Sequence, residues 1–170
     1  ETIGKGNTSD AEFSTLNSIY PNTEGSCYEI YPDNTYYGLP WIMRENNYYS
    51  MAFHSYKGAF WNREYIYPNE GFQDFYSEED FNVTNRMGWG MVDNDFLQQT
   101  STKLAQLPKP FFSFIITLSS HHPYRITEEY ATIKLTQEDE DTVFGRYMQV
   151  INYTDRSIGN FIQSLKDKGL

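Results

Sequence analysis

The sequence predicts an α/β protein, and three features carry that expectation. The run Phe111-Phe112-Ser113-Phe114-Ile115-Ile116-Thr117-Leu118 is apolar without alternation, the pattern of a central strand in a parallel sheet covered by helices. Tyr48–His54 reads as a second buried strand, ending on a histidine. Helical patterns stand between and after these runs, the longest over Val143–Lys168, so helix and buried strand alternate along the chain.

The elements follow in order. A first helix is expected from about Ser9 to Ile19, capped by Asn7 or Thr8, with Asp10, Ala11 and Glu12 in its first turn and Pro21 as its stop. Residues 21–36, rich in Pro, Asn, Gly and Asp, read as loop. A short helix over Tyr37–Asn46 turns Leu39, Ile42 and Met43 to one face, and Phe60–Tyr67 is again helical. Residues 68–92 alternate aromatic and turn residues, with Phe72, Phe75 and Phe81 as anchors. Asp93–Leu107 forms a helix with Phe96, Leu97, Leu104 and Leu107 near one stripe, ended by Pro108-Lys109-Pro110. The acidic segment from Arg125 to Asp141 is an excursion over the surface. The last helix turns Tyr147, Val150, Ile151, Ile158, Phe161, Ile162 and Leu165 to its apolar side.

Composition bounds the function. A chain of 170 residues can form one domain with a real core. A net charge of −10 leaves no basic stripe for nucleic acid and opposes simple adsorption to anionic lipid. Aromatics make up 18% of the residues, led by 15 Tyr and 12 Phe, which suits packing by amphipathic rings and surfaces for sugars or polar lipids. Cys27 is the only cysteine, so there is no internal disulfide and no cysteine metal site. No apolar run is long enough to span a membrane. The chain starts at Glu1 rather than Met and stops directly after a helical pattern, and is expected to be an internal piece of a longer protein.

Three segments carry candidate chemistry. In Gly6-Asn7-Thr8-Ser9-Asp10-Ala11-Glu12-Phe13, Thr8 stands where a helix begins, beside exposed N–H groups and the positive end of the helix dipole. That setting favours a hydroxyl nucleophile attacking a phosphate, although most Thr residues at helix starts only cap. His54 and His121 stand just past the carboxyl ends of the two strands, the edge where ligands bind in open α/β sheets, and His122 follows His121. In Phe60-Trp61-Asn62-Arg63, Arg63 suits bidentate contact with a phosphate, and Trp61 suits shielding it or packing on a glycerol or sugar. The competing reading makes Phe60 and Trp61 core and pairs Arg63 with Glu64 or Asp74. The run Gln137–Asp141 lacks the alternation and glycine of a calcium loop and reads as solvated.

Together these motifs resemble the lipoteichoic acid synthase family: Gly-Asn-Thr-Ser-Asp-Ala-Glu-Phe, then Phe-His followed by Phe-Trp-Asn-Arg, the segment Gly88–Asp93, and Thr-Leu-Ser-Ser-His-His-Pro-Tyr. These are phosphoglycerol transferases of the sulfatase branch within the alkaline phosphatase superfamily. The resemblance implies a three-layer α/β/α sandwich, incomplete in this chain, with residues 1–170 forming part of a single extracellular catalytic domain. It implies that Thr8 takes glycerol phosphate from phosphatidylglycerol as a threonyl phosphoester, for transfer to a polymer or glycolipid acceptor. It implies that Thr8 also ligates one divalent metal, Mn2+ or else Mg2+, and that His54, Trp61, Arg63 and His121 bind the glycerol phosphate, with His121 also serving catalysis. The family's usual acidic residue near the first His is Tyr56 here. The other metal ligands, a Glu upstream and an Asp-His pair downstream, have no counterpart in this chain, so this piece alone is expected to be inactive. The implied location is the outer face of a bacterial cell membrane, extracellular or periplasmic, with attachment through a region absent from this chain.

Two other readings compete. One is a related sulfatase-like phosphohydrolase or phosphoethanolamine transferase. Thr8-Ser9-Asp10-Ala11-Glu12 lacks the Pro and Arg of a Cys/Ser-x-Pro-x-Arg nucleophile setting, which counts against a true sulfatase. The other is a non-catalytic polyol-binding module using Trp41, Trp61 and Trp89 as stacking platforms.

Overall fold

The α/β expectation holds in a computed structural model that describes residues 6–170. In chain order its elements are α1 (Thr8–Asn17), α2 (Cys27–Ile30), α3 (Leu39–Glu45), β1 (Tyr49–His54), α4 (Arg63–Glu70) and β2 (Asp74–Tyr76). There follow β3 (Arg86–Met87), β4 (Gly90–Met91), α5 (Asp93–Gln106), β5 (Phe111–Ile116) and α6 (Val143–Asp167). The chain divides into two compact units. Among the described residues the first comprises 6–53, Lys57–Tyr76 and Pro108–Ile115; the second comprises His54–Tyr56, Ser77–Leu107 and Ile116–Leu170.

The first unit holds most of a sheet of order β2-β1-β5. β1 and β2 run parallel, with Met51 opposite Asp74 and Phe53 opposite Tyr76. β1 and β5 also run in one direction: Tyr49 N donates to Pro110 O where both begin, and His54 lies beside Ile116 O where both end. β1 is therefore the central strand, with Ser50 to His54 all buried. Among the described residues β5 lies beside β1 and is half-buried throughout.

Around this sheet the local chemistry explains each departure from expectation. α1 is capped by Asn7, whose Oδ1 accepts from Asp10 N at 2.9 Å, and ends early where Ser18 turns left-handed at φ 55°. The stretch expected as loop contains α2, tethered by Cys27 N donating to Asp10 Oδ1 at 3.0 Å. That bond joins residues far apart in sequence, so no local pattern reveals it. In α3, Leu39 and Ile42 are exposed rather than packed. Trp41 instead anchors the helix, its indole N–H on Asn69 O and the Arg44 guanidinium 4.3 Å over its ring. The ring cluster is Phe13, Tyr28, Tyr36, Tyr67, Phe72 and Phe75, in edge-on or tilted pairs 4.9 to 6.4 Å apart.

Buried among those rings lies Glu70, which accepts from Tyr28 Oη at 2.9 Å and Asn17 Nδ2 at 2.7 Å. Burial raises its pKa from 4.5 to about 7, its two hydrogen bonds opposing and the charge of Glu12 adding to the rise. The folded state thus holds the Glu70 proton more tightly than the unfolded chain. Its contribution to stability is full below about pH 4.5 and is lost as pH rises through about 7. Glu70→Gln should remove that slope. The full-length variant, compared with wild type by denaturation, should gain up to ~3 kcal/mol in relative stability between about pH 5 and 7.5. Parallel profiles for the two proteins would contradict the assignment.

The second unit is built on α5 and α6. Phe96, Leu97 and Leu104 are buried in α5, as their spacing predicts. α6 departs from its expected face. Val150, Tyr153, Ser157 and Ser164 are buried, whereas Tyr147, Ile151, Ile158 and Ile162 are 39–47% exposed. The helix meets α5 through small polar residues, with the Ser101 and Ser164 hydroxyls 2.9 Å apart, a face that hydropathy cannot identify. β3 and β4 form a hairpin joined by Gly88-Trp89, with Gly88 at φ 66° as a two-residue hairpin turn requires. The residues 68–92 expected to alternate thus contain short strands, and of their anchors Phe72 and Phe81 are buried while Phe75 is half-buried.

Candidate active site

Thr8 is the first residue of α1 and is exposed. Asn7 takes over the capping, its amide oxygen accepting from Asp10 N and from Ser9 Oγ at 2.8 Å. Its Nδ2 donates to Asp10 Oδ2 at 2.8 Å, which fixes the cap from both sides. No hydrogen bond to the Thr8 hydroxyl arises among the described residues. It therefore stands at the amino end of a ten-residue helix with no duty in holding that helix together.

One turn further along α1, Glu12 points inward and is 4% exposed. Its carboxylate grips Arg63 in a fork, Nε to Oε2 at 3.0 Å and Nη2 to Oε1 at 2.5 Å. Tyr67 Oη donates to Oε2 at 2.7 Å, and Arg63 Nη1 donates to Phe60 O at 3.0 Å. Arg63 is 1% exposed, so its partner is a buried carboxylate and neither Glu64 nor Asp74. Burial pulls the guanidinium pKa down, but the hydrogen bonds and charge of Glu12 outweigh it and raise the net value. Burial, with the charge of Glu12 next, lifts the Tyr67 phenol well above its ordinary range.

The turn before Arg63 is strained. Trp61 and Asn62 both adopt left-handed backbone, φ 58° and 57°, which breaks the expected helix into a 3-10 turn over Phe60–Asn62 followed by α4. Asn62 Nδ2 holds the turn by donating to Tyr28 O at 3.0 Å. Trp61 is left half-buried, its ring 5.6 Å from that of Phe60. The first unit thus brings together the helix of Thr8, the Trp61 turn and Arg63, with Glu12 as the link.

His54 and His121 belong to the second unit. His54 is 1% exposed, with Nδ1 3.5 Å from Ile116 O and its ring edge-on to Tyr56 at 6.5 Å. His121 is exposed and carried by a turn in which its N–H donates to Leu118 O at 3.0 Å. Its ring lies 4.5 Å from Trp89 at the tip of the β3–β4 hairpin, and its Nδ1 is 2.6 Å from His122 O. His122 turns elsewhere, edge-on to Tyr124. The segment after His54 is held by the hairpin, where Met91 N donates to Ser55 O at 3.0 Å, and by the turn at Glu78, whose N–H donates to Tyr56 O at 3.1 Å.

Gly90 is where the hairpin comes close to that segment. A Cβ there would lie 2.4 Å from Ser55 O and 2.8 Å from Leu118 Cδ2. Gly90→Ala must push backbone that follows His54, so it should cost ~1–3 kcal/mol, read by denaturation of the full-length protein. A loss under about 0.5 kcal/mol would contradict this packing.

Sequence reasoning singled out Thr8, His54, Trp61, Arg63 and His121 as candidates, took Glu12 for a first-turn acid, and named Gly90 only within the segment Gly88–Asp93. The signal for Glu12 was indirect, since a buried arginine needs a carboxylate. Among the described residues no group of three or more His, Cys, Asp or Glu is placed to hold a metal ion. Thr8 alone does not make a metal site, so the described residues by themselves do not fit one. No helix among them is long and apolar enough to cross a membrane.

Comparison with known proteins bears on this arrangement. The sulfatase family model matches residues 2–170. Lipoteichoic acid synthase 2 of Bacillus subtilis is 38% identical over 169 residues, covering 98% of this chain and 26% of that protein. The crystal structure of the lipoteichoic acid synthase LtaP from Listeria monocytogenes superposes with a TM-score of 0.93 at 31% identity, over 99% of this chain and 42% of the other. The Streptococcus pyogenes phosphoglycerol transferase GacH, solved in complex with sn-glycerol-1-phosphate, shares the fold, with a TM-score of 0.68 at 20% identity over 97% of this chain and 46% of its own. The chain spans about a quarter of the length of the curated relatives it matches.

Proposed function

We propose, from the premise that this chain belongs to the sulfatase family, that the protein containing it is a phosphoglycerol transferase of the bacterial cell envelope. The observation that carries the reading is the Thr8 hydroxyl, exposed at the start of α1 and relieved of capping by Asn7. A hydroxyl so placed meets an incoming phosphate at the positive end of the helix. The likeness to lipoteichoic acid synthases supports phosphatidylglycerol as donor and a glycerol phosphate polymer or glycolipid as acceptor.

In this reading the Thr8 hydroxyl gives up its proton as Oγ attacks the phosphorus of phosphatidylglycerol. The bond from phosphorus to the diacylglycerol oxygen breaks, and diacylglycerol leaves as the alcohol, taking up a proton. Glycerol phosphate is left on Thr8. An acceptor hydroxyl then attacks the same phosphorus, loses its proton, and returns Thr8 to its free hydroxyl. His121 hydrogen-bonds the phosphoryl group or passes a proton, Trp61 packs on the glycerol phosphate, and His54 and Arg63, each 1% exposed in this chain, back its pocket, Arg63 in the orientation Glu12 gives it. Residues 1–170 form part of a single catalytic domain on the outer face of the membrane. A divalent ion, Mn2+ with Mg2+ as substitute, would be held by Thr8 only together with residues outside this chain, and would supply positive charge to the phosphoryl group.

The test uses the full-length protein with labelled phosphatidylglycerol and Mn2+. Diacylglycerol should be released and label should reach the acceptor, and a chelator should stop both until metal is restored. Turnover that persists in chelator contradicts the metal assignment. Diacylglycerol released with free glycerol phosphate as the sole product favours the phosphohydrolase alternative, for which no residue here argues specifically. No turnover under any divalent ion would leave the polyol-binding module, with Trp41, Trp61 and Trp89 as platforms.

A further inference from the structure

The turn carrying His121 is fixed by one buried side chain. Asp93 opens α5 and is 0% exposed. Its Oδ1 accepts from both Leu118 N at 2.9 Å and Ser119 N at 3.0 Å. Its Oδ2 accepts from Thr154 Oγ1 of α6 at 2.9 Å, and its own N–H donates to Ser119 Oγ at 2.9 Å. Leu118 O in turn accepts from His121 N. Three elements of the second unit thus meet on one carboxylate: α5, α6 and the turn. Successive N–H groups clamped by one oxygen leave the turn little freedom. The opposite side of His121 is flanked by Trp89.

We propose that Asp93 is a positioning residue for the phosphoryl-transfer reaction, holding the Leu118–Ser119 turn so that His121 is presented in one orientation. This rests on the reading of His121 as a residue that contacts the phosphoryl group. Asp93 is sealed from solvent, so it acts through His121 and touches no substrate. Misplacement of a reacting-centre contact by about 1 Å is enough for a ~10²-fold loss, so a clamp of this kind has measurable consequences. Its hydrogen bonds, rather than its charge, do the positioning. An asparagine oxygen in the same place still accepts from both N–H groups, and its amide nitrogen can donate to Thr154 Oγ1.

The experiment uses the full-length protein and the labelled phosphatidylglycerol assay. Asp93→Ala should lower kcat by ~10- to 100-fold with KM changed by less than about 2-fold. Asp93→Asn should restore kcat to within about 5-fold of wild type, which loss of an essential charge would prevent. In a His121→Ala background, Asp93→Ala should cost less than about 2-fold, because both act through one contact. Amide exchange of Leu118 and Ser119 should quicken by more than about 10-fold in Asp93→Ala, while the buried turns of α5 keep their protection. If Asp93→Ala fails to fold, Thr154→Val removes one bond of the clamp and should shift kcat and exchange in the same direction. Losses that multiply with His121→Ala, amides that stay protected, or a His121→Ala protein of wild-type activity would each overturn the proposal. Transfer surviving Thr8→Ala would instead sink the transferase reading, and the exchange data would still decide whether Asp93 holds the turn.

Discussion

Glu12→Ala should destabilise the full-length protein by ~3–5 kcal/mol, because it strands a buried positive charge. Arg63 is 1% exposed, and two of its three nitrogens lie on Glu12. Removing the carboxylate leaves the guanidinium its bond to Phe60 O, and takes the acceptor from the buried Tyr67 hydroxyl as well. Most of the loss is therefore the penalty of an uncompensated charge rather than the net worth of the ion pair. That distinction is measurable. Glu12→Ala combined with Arg63→Met removes both charges and should be less destabilised than Glu12→Ala alone, by ~1–3 kcal/mol. Urea denaturation of the two variants decides it, and a double variant worse than the single would show that Arg63 is not charged and buried in the way described.

Thr8→Ala should lower phosphoglycerol transfer by about 10⁴-fold or more, the scale on which a covalent nucleophile is lost in other enzymes. Its cost in stability should be small, under about 0.5 kcal/mol, since Thr8 is exposed and Asn7 provides the cap. The contrast with Asn7→Ala is informative. That substitution removes the bond to Asp10 N and should destabilise α1 by ~1 kcal/mol. It should weaken activity only as far as it loosens the helix start. A Thr8→Ala protein that is equally active contradicts the assignment; one that unfolds would mean that Thr8, not Asn7, holds the helix end.

What was legible in the sequence and what was not divides along physical lines. Local signals were reliable: the cap at Asn7, the stripe of Phe96, Leu97 and Leu104, and the strands ending near His54 and Ile116 all follow from neighbours in sequence. Long-range polar pairing was not. The Glu12–Arg63 fork, the Cys27–Asp10 bond that supports α2, and the clamp of Asp93 on Leu118 and Ser119 join residues with no shared periodicity. The face of α6 is a related case: hydropathy favours Ile151, Ile158 and Ile162, whereas α6 bonds to α5 through Ser164 on Ser101 and Thr154 on Asp93. Trp61 and Arg63 were recognised as candidates, but the left-handed pair Trp61-Asn62 that breaks their helix was not: Asn favours that backbone, whereas Trp gives no sign of it.

The central claim is that Thr8 carries the transferred group, and the most direct test is to look for it there. The full-length protein would be incubated with phosphatidylglycerol and Mn2+ without acceptor, quenched in acid, digested, and its peptides analysed by mass spectrometry. The account predicts a glycerol phosphate adduct on Thr8, absent from Thr8→Ala and discharged when acceptor is added. Turnover with no adduct on Thr8, or with the adduct on another residue, would contradict it.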